Sequence, residues 1–165
     1  MVQRTIKVLI IEDSDDDTFL LVHNLKKGGY VPEYHQVESA DEMRKALSNG
    51  NWDIVISDHN LPAFNAMQAL EILKEYASDL PLIVLSGGID QNVAVEAMRM
   101  GARDYIMKDD TARLLPAIER ELRETAIRKE MRESDARSKR DLQAIMDNSP
   151  AVIYVKDRNG CYTFI

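Results

Sequence analysis

Apolar residues occur along the first 110 positions in short runs that are rich in β-branched side chains. The clearest runs cover residues 7–11, 53–58, 81–86 and 104–108. Short runs of this kind are typical of strands that are buried on both faces, as in a parallel sheet. A weaker segment at 30–36 follows the Gly28-Gly29 pair and predicts an edge strand.

The segments between these runs have the patterns of helices. We predict helices over 14–27, 40–48, 65–76 and 91–100. Ser14 and Ser39 are residues of the type that caps helix N-termini, and Gly101 ends the fourth predicted helix. Five strands that alternate with helices predict an α/β protein with a doubly wound, five-stranded parallel sheet. In such a sheet, ligands bind at the carboxyl ends of the strands.

The sequence changes character after residue 112. Neither glycine nor proline occurs between 117 and 147, and oppositely charged side chains stand four positions apart. These features predict an extended C-terminal helix of roughly thirty residues. Its apolar seam is interrupted by Ser134 and Ser138 before Leu142 and Ile145 resume it. Both a solvated charged helix and a coiled-coil seam fit this pattern. Because the heptads are few, we favour a linker helix that dimerises weakly.

A second kind of strand pattern begins after residue 150. Two alternating apolar runs, 151–155 and 161–165, flank a turn that contains Asn159-Gly160. An Asn-Gly turn between two such runs is a strong hairpin signal. Because an isolated hairpin is not stable in water, we expect these residues to be the first two strands of a further domain.

Composition and charge restrict the class of protein. The chain of 165 residues is 45% hydrophobic, which excludes a wholly disordered protein. Its single cysteine, Cys161, excludes an internal disulfide and a thiolate metal site. No apolar run approaches the ~20 residues of a membrane span, so we expect a cytoplasmic protein with no membrane partner. Residues 1–110 carry 10 basic and 19 acidic side chains, which argues against direct nucleic-acid binding.

Polar residues of particular types follow four of the predicted strands. They are the pair Glu12 and Asp13, then Asp58, Ser86 and Lys108. Clustered carboxylates repel one another unless a cation lies between them, and oxygen ligands suit Mg²⁺. A hydroxyl and an ammonium would complete a site for a phosphoryl group, with Asp58 as the candidate nucleophile. Each residue alone would be an ordinary surface side chain or helix cap, but their order along the chain favours a site.

In these motifs, residues 1–125 resemble a response-regulator receiver domain of two-component signalling systems. The resemblance is carried by Glu12-Asp13, by Ser57-Asp58-His59-Asn60-Leu61-Pro62, by Ser86-Gly87, and by Tyr105 three positions before Lys108. It implies a flavodoxin-like sheet with the strand order 2-1-3-4-5. It also implies a signalling module rather than an enzyme.

The resemblance implies a role for each motif residue. Asp58 would be the phosphoacceptor, and a sensor histidine kinase or a phosphotransfer protein would be the donor. Glu12, Asp13 and Asp58 would hold Mg²⁺ or Mn²⁺ together with the backbone carbonyl of Asn60.

The remaining motif residues would act on the phosphoryl group. The resemblance implies that Ser86, Gly87 and Lys108 contact its oxygens. Ser86 and Tyr105 would reorient together as the switch that reports phosphorylation.

Two positions depart from the family pattern. Ala66 stands eight residues after Asp58, where receivers usually have glycine, and Asp109 follows Lys108, where they usually have proline. We therefore expect a different local turn before the third helix, and a loop after Lys108 for which a cis peptide bond is not assumed. We interpret His59 as a residue that tunes access to the acceptor rather than as a metal ligand.

A second, shorter resemblance covers residues 147–165, which are similar to the opening of a PAS sensor domain. The two resemblances imply a receiver at 1–125, a helical linker at 126–147 and the start of a PAS-like domain at 148–165. The linker would relay the phosphorylation state to a downstream effector. A histidine kinase or a nucleotide cyclase would be a suitable output in the parent protein.

Two other functions compete with a phosphorylatable receiver. A phosphatase of the haloacid-dehalogenase type also uses a strand-end aspartate, Mg²⁺, a hydroxyl and a lysine. It needs a second aspartate two residues after the nucleophile as general acid, and Asn60 occupies that position here. A receiver used only for binding would usually lack the acceptor or the acidic pair, and this chain has both.

Overall fold

The structure is a computed structural model that describes residues 4–59, 61–62, 64–76, 79–88, 90–147, 155–156 and 162–163. Its main sheet contains β1 (Arg4–Ile11), β2 (Tyr30–Val37), β3 (Ile54–Asp58), β4 (Leu82–Ser86) and β5 (Asp104–Met107). All neighbouring strands pair in parallel, and their order is β2-β1-β3-β4-β5. The predicted doubly wound α/β fold is therefore confirmed, including the strand order.

Five helices alternate with these strands. They are α1 (Asp15–Lys27), α2 (Ala40–Asn49), α3 (Ala66–Tyr76), α4 (Gln91–Met100) and α5 (Thr111–Asp147). Ser14 caps α1 by accepting a hydrogen bond from the Asp17 N–H at 3.2 Å, as the sequence predicts. Gly101 ends α4 with a φ of 112°, in the left-handed region that favours glycine.

The start of α3 explains how Ala66 replaces the usual glycine. The Asn65 side chain accepts a hydrogen bond from the Gln68 N–H at 3.0 Å, and the Gln68 side chain accepts one from the Asn65 N–H at 3.0 Å. This reciprocal capping box starts the helix at Ala66, one residue later than predicted. No described residue other than glycine has a positive φ, so alanine is accommodated without backbone strain.

The core lies on both faces of the sheet because strand side chains alternate between them. Leu9, Val55 and Val84 face one layer and pack with residues of α2, α3 and α4. Strand residues of opposite parity face the layer formed by α1 and α5. These are Ile6, Val8, Ile10, Ile54, Ile56, Ile83 and Ile106. The continuous apolar runs are thus fully explained by burial on both faces.

The extended C-terminal helix is also confirmed, since α5 contains 37 residues. Pro116 lies in its second turn, where it cannot donate a hydrogen bond to the carbonyl of Ala112. Beyond residue 125, most of its large apolar side chains are exposed. These include Ile127, Met131, Leu142 and Ile145. None of the described helices is both long enough and apolar enough to cross a membrane.

The chain divides into two compact units, Met1–Thr125 and Ala126–Ile165. In the second unit, β6 (Val155–Lys156) pairs with β7 (Tyr162–Thr163) in antiparallel register. This pairing agrees with the predicted hairpin. The predicted turn around Asn159-Gly160 and the residue Cys161 lie outside the described residues.

Candidate functional site

The carboxylates of β1 and β3 meet because these strands are neighbours. Ile11 pairs with Ser57, so that Glu12 and Asp58 follow on adjacent strands. One carboxylate oxygen each from Glu12, Asp13 and Asp58 lies within 4.8 Å of the others. The structure therefore brings together the three predicted metal-binding side chains. The fourth predicted ligand, the backbone carbonyl of Asn60, lies outside the described residues.

Glu12 is the buried member of this group, with 5% of its surface exposed. One of its oxygens accepts hydrogen bonds from the N–H groups of Asp13 and Ser14, each at 3.2 Å. Its other oxygen accepts a hydrogen bond from Lys108 Nζ at 2.8 Å. Burial outweighs these interactions and raises the pKa of the Glu12 carboxyl group. The group is thus held as a carboxylate at a free-energy cost that a bound cation would reduce.

Lys108 reaches into the carboxylate cluster from the end of β5. Its ammonium lies 2.8 Å from Glu12 Oε2, 2.5 Å from Asp17 Oδ2 and 3.3 Å from Asp58 Oδ1. Burial would lower the pKa of Lys108, but hydrogen bonds to Asp17 and Glu12 outweigh it and raise that pKa. The lysine is therefore charged at neutral pH. All described peptide bonds are trans, including the one between Lys108 and Asp109.

Asp17 is the site residue that the sequence analysis did not identify. It belongs to a run of three aspartates at the start of α1, which the sequence explains as favourable charges near the positive end of the helix dipole. Only Asp17 of the three forms a salt bridge with Lys108. The three aspartates in this turn indicate an acidic helix start, but the sequence alone does not show which of them faces Lys108.

Asp58 lies at the carboxyl end of β3 with 11% of its side chain exposed. Its Oδ1 atom accepts a hydrogen bond from the N–H of His59 at 2.9 Å and is the atom nearest to Lys108. The carboxylate is thus accessible, and its charge is balanced by the ammonium. This arrangement suits a nucleophile that must receive an anionic group.

Ser86 ends β4 and is 4% exposed. Its hydroxyl donates a hydrogen bond to the carbonyl of Gly88 at 2.8 Å and accepts one from the Gly88 N–H at 3.3 Å. The hydroxyl is therefore engaged with its own loop. Gly87 is exposed, and a Cβ atom there would meet no other atom within 4 Å, so the described contacts do not require glycine at this position.

Tyr105, the other predicted switch residue, packs against the core on the α4 side of the sheet. Its ring contacts His59 in a T-shaped arrangement with the ring centroids 5.9 Å apart. His59 therefore contacts the predicted switch residue directly, a relationship that the sequence interpretation of this histidine did not include.

Comparison with known proteins decides the family. Residues 8–119 match the family model described as the response regulator receiver domain. The chain belongs to this family. The receiver is 36% identical over 111 residues to the response regulator protein FleR of Pseudomonas aeruginosa, an alignment that covers 66% of this chain. The same alignment covers 23% of FleR, so the chain spans about a quarter of that relative.

Solved structures agree with the receiver fold. A response regulator receiver domain protein from Clostridium thermocellum is 26% identical with a TM-score of 0.66, over 74% of this chain and 98% of that one. The receiver domain of the sensor histidine kinase PA1611 from Pseudomonas aeruginosa has a TM-score of 0.61 at 20% identity, over 72% of this chain and 98% of that one. That structure has a magnesium ion coordinated in its active-site cleft.

Proposed function

We propose that this receiver accepts a phosphoryl group on Asp58 from a sensor histidine kinase or a phosphotransfer protein. One observation carries the proposal: the carboxylate of Asp58 lies within 4.8 Å of the Glu12 and Asp13 carboxylates and 3.3 Å from the Lys108 ammonium. An accessible carboxylate beside an acidic pair and a fixed positive charge is suited to receive phosphate rather than to bind a neutral ligand.

In the transfer step, an Asp58 carboxylate oxygen forms a bond to phosphorus while the bond between phosphorus and the donor breaks. With phosphohistidine, the P–N electron pair leaves with the imidazole nitrogen, which takes up a proton. With acetyl phosphate, the P–O electron pair leaves with acetate, which needs no proton at neutral pH. Lys108 balances the charge that Asp58 gains as an acyl phosphate.

The acidic residues fit a hard divalent cation. Glu12, Asp13 and Asp58 offer only oxygen ligands, as Mg²⁺ or Mn²⁺ prefers, and the raised pKa of Glu12 reflects a burial cost that a dication would offset. Mg²⁺ would supply Lewis-acid stabilisation of the phosphoryl oxygens. The carbonyl of Asn60 would complete the protein ligands, and Ser86 and Gly87 would provide donors to the phosphoryl group.

We propose a relay for the remainder of the chain, with a receiver at 1–125, a linker at 126–147 and a PAS-like start at 148–165. The exposed apolar side chains of α5 after residue 125 support weak homodimerisation through the linker. Phosphorylation would reach α5 through Ser86 and Tyr105 and continue to a PAS or other effector region. A histidine kinase, a nucleotide cyclase or another effector in the parent protein would provide the output. We propose a cytoplasmic location, with no direct binding of nucleic acid or membrane by this acidic receiver.

The test is phosphorylation by acetyl phosphate with Mg²⁺, followed by mass spectrometric mapping of the modified residue. We expect one phosphoryl group on Asp58, none in Asp58→Asn, and unchanged labelling in Asp109→Asn, a matched change at an exposed aspartate. Absence of labelling would favour the binding-only alternative. Release of many phosphate equivalents per chain would favour the haloacid-dehalogenase-like phosphatase.

A further inference from the structure

The Lys108 ammonium already faces three carboxylates. Glu12 and Asp17 accept hydrogen bonds from it at 2.8 Å and 2.5 Å, and Asp58 lies at 3.3 Å. A lysine has three donors and no acceptor. Two of these donors are therefore engaged in hydrogen bonds, and a new oxygen acceptor competes for the ammonium with the carboxylates that already hold it.

The three contacts differ in what else their carboxylates do. Glu12 and Asp58 belong to the group of ligand atoms that can hold one cation, whereas Asp17 does not. The side chain of Asp17 is also the most exposed of the three, at 38% compared with 7% for Glu12 and 11% for Asp58. Water can replace the lysine at Asp17 more readily than at the two buried carboxylates. Of the two hydrogen bonds that Lys108 donates, the one to Asp17 is thus given up at the lower free-energy cost.

We propose that Asp17 is a positioning residue that competes with the incoming phosphoryl group for Lys108, and that it thereby limits how readily Asp58 is phosphorylated. The inference rests on the proposed function of Asp58. It assigns to the first turn of α1 an inhibitory role that neither the acceptor nor the metal ligands provide.

The surroundings of Lys108 allow its ammonium to exchange Asp17 for a phosphoryl oxygen. A cavity of about 70 Å³ is bordered by Asp17, Thr18, Leu85 and Lys108. The lysine side chain therefore has open space beside it and can shift without displacing core residues. The backbone of Asp17, by contrast, is fixed, because its N–H donates a hydrogen bond to Ser14 Oγ at the helix cap.

The proposal predicts the direction and size of a mutational effect. Asp17→Asn leaves Lys108 a neutral and weaker acceptor and removes a negative charge beside the incoming phosphate. Partly exposed ion pairs are weak, so the expected gain in the phosphorylation rate with acetyl phosphate is about two- to fivefold. The affinity for beryllofluoride, which mimics the bound phosphoryl group, should rise by a similar factor.

Asp16→Asn is the matched control, because Asp16 is an exposed aspartate in the same helical turn. It removes the same charge near the helix N-terminus and should change the rate by much less than Asp17→Asn. Asp17→Glu keeps the charge, so it should be phosphorylated more slowly than Asp17→Asn. Thermal unfolding of each variant establishes that it folds, and Asp17→Ser provides a second variant if Asp17→Asn does not.

Nitrogen-15 NMR of the Lys108 ammonium provides a readout that a purely structural role would not move. Its resonance should shift in Asp17→Asn in the same direction as in the wild-type protein with beryllofluoride and Mg²⁺. If the wild-type protein is labelled on Asp58 but Asp17→Asn reacts no faster than Asp16→Asn, the role of Asp17 is wrong. If Asp58 is not labelled at all, the proposed function itself is wrong.

Discussion

The ring of Tyr105, in β5, meets the ring of His59, the residue that follows β3, at an interplanar angle of 61°, although β4 lies between these two strands. Tyr105 Oη and His59 Nδ1 are both buried, and neither has a hydrogen-bond partner among the described residues. The contact therefore depends on the rings rather than on their polar atoms. It connects the residue after the proposed phosphoacceptor with the proposed switch residue.

A double-mutant cycle with His59→Ala and Tyr105→Leu tests this contact. T-shaped aromatic pairs contribute about 0.5–1.5 kcal/mol beyond simple burial, and we expect a coupling energy in that range from urea unfolding. Tyr105→Phe is the control, because it keeps the ring and removes a hydroxyl without a described partner. That variant should be at least as stable as the wild-type protein. A coupling energy near zero would contradict a direct contribution of the ring pair.

Loss of Asp13 should weaken metal binding. Asp13 is the exposed member of the three-carboxylate group, so its replacement by alanine removes a proposed ligand without opening a cavity in the core. We expect Asp13→Ala to weaken Mg²⁺ binding by about tenfold or more, equivalent to ~1.4 kcal/mol, in calorimetric titrations. Asp16→Ala should bind Mg²⁺ like the wild-type protein. Equal affinities of all three proteins would mean that the ion is held elsewhere.

Glu12 should make the metal-free protein less stable as pH rises. Its pKa is raised in the folded state by burial, so the folded protein binds the proton more tightly than the unfolded chain does. The resulting loss of folding stability is absent below the pKa that Glu12 has in the unfolded chain. It is complete above the pKa that Glu12 has in the folded protein. In urea unfolding with a chelator present, Glu12→Gln should therefore gain stability relative to the wild-type protein as pH rises through this window.

Glu42 provides a control for the sign of this effect. A hydrogen bond from the N–H of Glu38 lowers the pKa of Glu42, so its contribution to stability is present at higher pH and is lost as pH falls through the folded pKa. Glu42→Gln should therefore lose stability relative to the wild-type protein as pH rises. If the stability of both variants changed in the same direction with pH, the opposite pKa shifts of Glu12 and Glu42 would be contradicted.

The exposed seam of α5 should mediate association of the whole chain. Sedimentation of residues 1–165 should show weak dimerisation that beryllofluoride and Mg²⁺ strengthen. Met131→Lys places a charge in the seam and should weaken the dimer by about tenfold, or ~1.4 kcal/mol. Ala136→Lys adds the same charge at a position more than a quarter turn away and should have little effect. A monomer in both states would leave the linker as a tether only.

The fold could be predicted because its signals are local. A few neighbouring residues determine each buried strand, the Ser14 cap and the end of α4 at Gly101. Most observed helix and strand ends differ from the predicted ones by no more than one residue. The acidic cluster also followed from sequence, since strand order places the end of β1 beside the end of β3.

The pairing of Asp17 with Lys108 and the ring contact of His59 could not be predicted in the same way. Three successive aspartates are equivalent in sequence, and only the rotation of α1 about its axis selects the one that faces Lys108. The contact between His59 and Tyr105 crosses over β4, so it depends on side-chain rotamers and not on strand pairing. Interactions of this kind are set by packing, which local sequence patterns do not encode.

The two hydrogen bonds between Ser86 and Gly88 have a mechanical consequence. A single hydroxyl oxygen serves as donor to the Gly88 carbonyl and as acceptor from the Gly88 N–H, so a rotation of the Ser86 side chain away from Gly88 breaks both bonds at once. The Ser86 hydroxyl thus holds the Gly88 backbone, which leads into α4, through both bonds. Movement of Ser86 toward another partner would therefore release the backbone of Gly88 from both of its contacts with this side chain.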